Sequence, residues 1–450
     1  MRYIPEPVRG IEIGGILTMT RTFFSISFVV CCLLALAAPP AWTQAIPGSS
    51  PRVALPFDLV DTLDGAKFKI RVPANWNGTL LVYIQGTKTG PQPSEPPLVP
   101  RVLPGSDAPL EATLLSRGYA LAASEISTAD WQVKAGLQDT LALTAYFRGR
   151  IGDPRRVILW GTTTGGLASL RLMEDCPRSF DGAIAMAAPG AGTGRRQDQS
   201  LDIALAYAVA FGWPADAWGP LEDLRSDLNF TTDVAPKVNW PKEDGSNRGW
   251  WEFIRLVNGV AADAFWKVDP MFGYPGYILK MNFSFQDRVN TQNWAAGPVA
   301  QNLNRRYSLT ADQKQYLAGL GVQADDLLAK MNARTNIAAN PRARDYVGRY
   351  GDLYGYLTKP AMALYTTLDT IVDIRNASAY SNTVQDWGRQ ENLVQAYAST
   401  LGHYAFTASQ LLAALAALES WLDTGTKPGA AAFPEALGFD NAFVPPPWPY

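Results

Sequence analysis

The chain has 450 residues, of which 47% are apolar and 18% charged, and its formal net charge is −2. That length can bury a large core and is long for one plain domain. No Lys/Arg-rich block is present, which excludes the basic footprint that nucleic-acid binding requires.

Residues 1–45 read as an export signal. Arg21 precedes an almost wholly apolar run from Phe23 to Ala38, Pro39-Pro40 break it, and Thr43-Gln44-Ala45 fits a small-x-small cleavage site. Residues 1–18 lack signal character, and Met19 is an alternative start. The other reading is a membrane anchor, but the run is short of the ~20 residues a span needs. The expected location is the periplasm or the medium, with no stable membrane anchor. Cys31 and Cys32 fall inside the signal, so Cys176 alone remains and no intramolecular disulfide can form. Cys176 reads as a packed or half-exposed bystander.

From 46 to 190 strand-like and helix-like segments alternate. Thr79–Ile84, Tyr119–Ser124, Val157–Trp160 and Ala183–Ala187 are short apolar runs of the kind found in buried parallel strands. Asp130 can cap a helix whose stripe is Val133, Leu137, Leu141 and Ala145, and a further helix spans Thr164–Asp175. Such alternation predicts an α/β architecture with a mostly parallel sheet. It stops near Pro189-Gly190. Residues 191–352 are aromatic-rich and lack βα alternation, which predicts a large, mainly helical cap insertion. The second half of the core occupies 353–423, with strands Ala361–Tyr365 and Leu393–Tyr397. Its closing helix is capped by Thr407 with Gln410 and carries a stripe of Leu411, Leu415, Leu418 and Leu422. Residues 424–450 read as a tail laid over the surface.

The segment carrying chemistry is Val157-Ile158-Leu159-Trp160-Gly161-Thr162-Thr163-Thr164-Gly165-Gly166. A buried strand runs through Gly-x-Thr-x-Gly into a helix, the layout of a nucleophile elbow with threonine at its centre. So tight a turn needs residues without side chains two places either side, which Gly161 and Gly165 supply. The remaining members follow in the order nucleophile, acid, histidine. Ala361–Tyr365 leads to Thr366-Thr367-Leu368-Asp369, and Leu393–Tyr397 leads to Leu401-Gly402-His403. His403 is the only histidine, and imidazole is the side chain that ordinarily exchanges a proton near neutrality. Asp369 is the expected partner because it directly follows its strand, with Asp373 the alternative. The oxyanion hole would use the Thr164 N–H and a second N–H from Gly86 or Thr87.

Five stretches carry a family resemblance: Pro73-Ala74-Asn75-Trp76-Asn77-Gly78-Thr79, Ser116-Arg117-Gly118-Tyr119-Ala120, the Gly161–Gly166 elbow, Thr366-Thr367-Leu368-Asp369, and Gly402-His403-Tyr404-Ala405-Phe406-Thr407. On these the chain resembles bacterial secreted α/β-hydrolases of esterase/lipase type. The resemblance implies an α/β-hydrolase fold and a serine-type hydrolase mechanism beneath a cap. The chain departs from that pattern where Gln85-Gly86 replaces His-Gly, Thr162-Thr163 replaces His-Ser, and Tyr404 replaces a Cys.

The expected function is hydrolysis of an ester, or of an amide or other acyl bond, by a Thr163–His403–Asp369 triad without cofactor or metal. The expected partner is a small-molecule or oligomeric acyl substrate, apolar or aromatic. Gln85, Thr162, Trp250 and Trp251 are candidate substrate-binding residues, though most cap tryptophans are expected to build the cap's own core. Two alternatives stay open: a catalytically silent binding protein, and C–C bond or lyase chemistry on the same frame. The sequence does not define an oligomeric state.

Overall fold

The computed structural model describes residues 51–87, 93–126, 133–303 and 305–449. The proposed export signal and Asp130 lie outside them. Eight strands form one sheet: β1 (Phe57–Leu63), β2 (Ala66–Val72), β3 (Thr79–Ile84), β4 (Ala120–Ser124), β5 (Arg156–Thr162), β6 (Gly182–Met186), β7 (Ala361–Leu368) and β8 (Leu393–Leu401). Their order is β1-β2-β4-β3-β5-β6-β7-β8, and β2 alone runs against its neighbours. Asp64-Gly65, both at positive φ, turn β1 into β2.

The period-2 rule sorts the strands between two cores. Leu80, Val82 and Ile84 of β3 face one core, and Leu81 and Tyr83 face the other. Helices α1 (Leu110–Ser116), α2 (Val133–Arg150) and α3 (Thr164–Asp175) precede the insertion. Helices α12 (Arg375–Asp386) and α13 (Ala408–Thr424) follow it. α2, α3 and α12 cover the first core, and α1 and α13 the second.

Two sequence expectations need correction. The buried face of α2 is Val133, Gly136, Thr140, Leu143, Thr144 and Phe147, while Ala145 is exposed. A row of strict i+4 steps drifts about 40° per step at 3.6 residues per turn, so it leaves the buried face within three steps. The C-terminal tail does more than lie on the surface. Phe433 and Phe439 are buried in the second core, and Phe439 bridges Ala398 of edge strand β8, which shields that edge.

Between β6 and β7 stand α4 (Thr193–Phe211), α5 (Ala215–Trp218), α6 (Arg248–Val257), α7 (Ala262–Trp266), α8 (Gly276–Ala295), α9 (Ala311–Gly319), α10 (Ala324–Asn332) and α11 (Pro341–Gly351). Among the described residues this insertion holds no strand, only an isolated bridge between Val268 and Pro275. It has its own apolar cluster, in which Trp218, Trp251, Phe253 and Phe285 are fully buried.

Candidate active site

Thr163 stands between β5 and α3 with φ 50° and ψ −118°. A β-branched L-residue in this region is strained by about 1–3 kcal/mol, so the surroundings must impose it. They do so by close approach. A Cβ on Gly161 would lie 2.3 Å from the Gly165 carbonyl oxygen, and one on Gly165 would lie 2.0 Å from that of Ile84. The Thr163 N–H donates to Met186 O at 2.8 Å, tying the turn to the end of β6. The extra methyl also has a defined berth. A Cβ on Gly86 would stand 1.8 Å from Thr163 Cγ2, so the methyl fits because residue 86 is glycine.

Asp369 follows β7 directly. Its Oδ1 accepts the N–H groups of Ile371 and Val372, each at 2.8 Å. His403 Nδ1 lies 2.8 Å from Asp369 Oδ2 and 3.0 Å from Oδ1. With Nδ1–H donating to the carboxylate, the Nε2 lone pair is left free. Both side chains are buried. Asp373, the alternative acid, is instead engaged by Arg375, whose Nε donates to its Oδ1 at 2.8 Å. Among the described residues no hydrogen bond joins the Thr163 hydroxyl to His403. In ligand-free sites this link is often loose and tightens on substrate binding.

Thr164 is the first residue of α3, so its N–H has no carbonyl partner within the helix. Thr87 is half-buried, with its hydroxyl 3.3 Å from that of Thr164, which places two of the three candidate oxyanion residues side by side. Gln85 is half-buried at the end of β3. The expectations for Thr162 and Trp251 need correction. The Thr162 hydroxyl is 3.0 Å from Tyr83 OH inside the core, because alternation along β5 points it away from the elbow's open side. Trp251 is fully buried and stacks on Trp240 at 5.8 Å, while Trp250, one position earlier, packs half-buried against Phe211. Adjacent helical positions point about 100° apart, so the more apolar surroundings took Trp251.

Asp269 was missed by sequence reasoning. It sits in the insertion and is fully buried. Its Oδ1 accepts from Met271 N at 2.7 Å and Phe272 N at 3.1 Å. Its Oδ2 accepts from His403 N at 2.8 Å and from the Thr370 hydroxyl. One carboxylate therefore holds the loops of both Asp369 and His403 to the insertion. Phe272, beside it, packs its ring 6.0 Å from the imidazole, and Tyr404 covers another side at 4.9 Å. No local signal in the sequence placed Asp269 within reach of a residue 134 positions on.

The strand order, the strained turn after β5 and the acid–histidine pair after β7 and β8 define an α/β-hydrolase fold. No protein-family model matches the chain. The chain is similar to an o-phthalyl amidase from Xanthobacter agilis, 23% identical over 428 residues, covering 85% of this chain and 90% of that one. Among solved structures it resembles an esterase from Aspergillus oryzae (14% identity, TM-score 0.38, 82% of this chain and 80% of that one). It also resembles Est1E from Butyrivibrio proteoclasticus (11% identity, TM-score 0.36, 81% and 98%). A third is the rice cell wall degrading esterase LipA from Xanthomonas oryzae (11% identity, TM-score 0.34, 79% and 84%).

Proposed function

We propose that this protein is an exported hydrolase of amide or ester bonds that works through an acyl-threonine intermediate. The observation that carries the reading is the His403–Asp369 pair, with Nδ1 held by the carboxylate, in a chain whose elbow presents a hydroxyl at Thr163.

The Thr163 oxygen attacks the substrate carbonyl carbon while His403 Nε2 takes the hydroxyl proton. Asp369 keeps the imidazole oriented and stabilises its cation. The carbonyl electron pair moves onto oxygen, and the Thr164 N–H with the N–H of Thr87 or Gly86 receives that charge. Collapse breaks the C–N or C–O bond, and Nε2 delivers its proton to the departing amine or alcohol. Water then attacks the acyl-threonine. Its proton passes to Nε2 and on to the Thr163 oxygen as the acid leaves. Every proton removed is returned, so no cofactor is required. The amidase relative favours giving amides equal standing with esters.

The test is a panel of matched aryl amides and aryl esters, assayed with wild type, Thr163→Ala and Thr163→Ser. Wild type and the serine variant should turn over, and Thr163→Ala should fall by about 10³-fold or more. Equal rates in wild type and Thr163→Ala would remove the nucleophile.

A further inference from the structure

The Asp369 carboxylate holds the His403 imidazole at Nδ1. A tether at one nitrogen leaves the far edge of the ring free to swing, and Nε2 on that edge must meet the Thr163 hydroxyl. A misplacement of about 1 Å at such an atom can cost on the order of 100-fold in rate. Two aromatic rings close in on the imidazole. Phe272 lies 6.0 Å away, tilted by 33°, and Tyr404 stands edge-on at 4.9 Å and 68°. These two rings also meet each other, at 5.9 Å and 83°. The three form a closed triangle, at separations and angles that aromatic pairs favour.

Both flanking rings are forced into place. Tyr404 has φ 41°. A bulky side chain in the left-handed region is an outlier, and such strain persists only where the surroundings over-determine it. Phe272 is set by a turn of the insertion. The Asp269 N–H donates to Tyr274 O at 2.9 Å, and the Gly273 N–H donates to Asp269 O at 2.8 Å. Asp269 Oδ1 accepts the N–H groups of Met271 and Phe272, as Asx turns do. The turn is pinned from outside as well. The Arg101 guanidinium, from the loop after β3, donates to Met271 O. A Cβ on Gly402 would lie 2.8 Å from Pro270 Cδ, so the turn presses directly on the residue before His403. The Phe272 ring also packs on the cluster that contains Ile371 and Val372, whose N–H groups hold Asp369. One ring of the insertion therefore leans on the support of the triad acid and on the imidazole.

We propose that Phe272 and Tyr404 are positioning residues that clamp the His403 ring, so that Nε2 stays aimed at the nucleophile and the insertion becomes part of the catalytic apparatus. The clamp supplies no proton and no charge. It removes the swing that the Asp369 contact leaves open. The kinetic part of the test rests on the hydrolase reading, and the ordering of the imidazole does not.

His403 is the only histidine in the chain, so protein labelled with isotopic histidine gives one imidazole to follow by nuclear magnetic resonance. Wild type should show a single, rigid ring. Phe272→Leu and Tyr404→Gly should each show larger ring motion or exchange-broadened signals. Both should lose kcat on the order of tenfold on the aryl amides and esters, with KM within about twofold. Glycine accepts a positive φ without strain, so Tyr404→Gly removes the ring and the strain together. Phe272→Tyr and Tyr404→Phe keep the rings and should recover most of the loss, which separates positioning from a general folding defect. Rigid imidazoles and wild-type kcat in both ring-deleting variants would overturn the clamp and leave the hydrolase standing. Losses confined to KM would also overturn it, since the rings would then act on substrate. Equal losses in Tyr404→Phe and Tyr404→Gly would assign the effect to the hydroxyl and overturn it too. Loosening of the imidazole in a protein that turns over no ester or amide would support the clamp and sink only the hydrolase reading.

Discussion

At the scale of single residues, the tension lies between Thr163 and Gly86. The threonine methyl occupies the space a side chain at 86 would need. Gly86→Ala should therefore cost about 1–3 kcal/mol of stability through overpacking. Thr163→Ser in the same chain should recover part of that loss, because the methyl is gone. A double-mutant cycle in chemical denaturation reads the coupling, and strictly additive effects would show that the methyl points elsewhere. Lys280 allows a second test. Burial lowers its pKa from 10.5 to about 8. Between those values the unfolded chain holds more protons, so stability rises with pH across the window. Below pH 8 the full penalty is present. Lys280→Met should therefore be more stable than wild type at pH 7, by up to about 3 kcal/mol. The gap should close toward pH 10.5, and urea melts at pH 7 and pH 10 measure it.

At the scale of elements, the elbow was legible because its needs are local. A buried strand, two glycines and a helix lie within ten residues, and the structure places them there. The acid and histidine were legible for a similar reason, since each follows the end of its own strand. The capping box at Thr407 and Gln410 is likewise present in the structure. Asp269 was not legible, because its role depends on how the insertion folds back on two loops more than a hundred positions away. Asp269→Asn tests it. All four of its partners donate, and the His403 N–H cannot turn away from an amide NH₂ as the Thr370 hydroxyl can. The variant should lose on the order of 1–3 kcal/mol and drop kcat by roughly tenfold or more through misplacement of His403. Faster hydrogen exchange at the His403 amide should accompany it. An unchanged kcat would reduce Asp269 to a structural tie.

At the scale of the whole molecule, the alternation of strands and helices made the sheet legible, and its interruption marked the insertion. The insertion's internal order was hidden. Its tryptophans look equivalent in sequence, yet Trp218 and Trp251 are fully buried while Trp294 is 46% exposed. The two halves of the core are also joined by a buried carboxylate. Glu174, at the end of α3, accepts the N–H groups of Tyr354 and Gly355 at 2.7 and 2.8 Å and the Tyr380 hydroxyl at 3.0 Å. Burial nonetheless lifts its pKa from 4.5 to about 7. In that window the folded chain holds the extra proton, so Glu174's contribution to stability falls as pH rises from 4.5 to 7, by up to about 3 kcal/mol. Comparing the loss between pH 5 and pH 7.5 in wild type and Glu174→Gln checks this, and the variant should lose less.

The central claim is that Thr163 carries the acyl group. The most direct measurement is intact-protein and peptide mass spectrometry after brief exposure to an activated aryl ester and, separately, to a fluorophosphonate. The expected result is a single adduct on Thr163, absent from Thr163→Ala and strongly slowed in His403→Ala. An adduct on another residue, or turnover with no trapped acyl group even in rapidly quenched samples, would contradict the acyl-threonine mechanism.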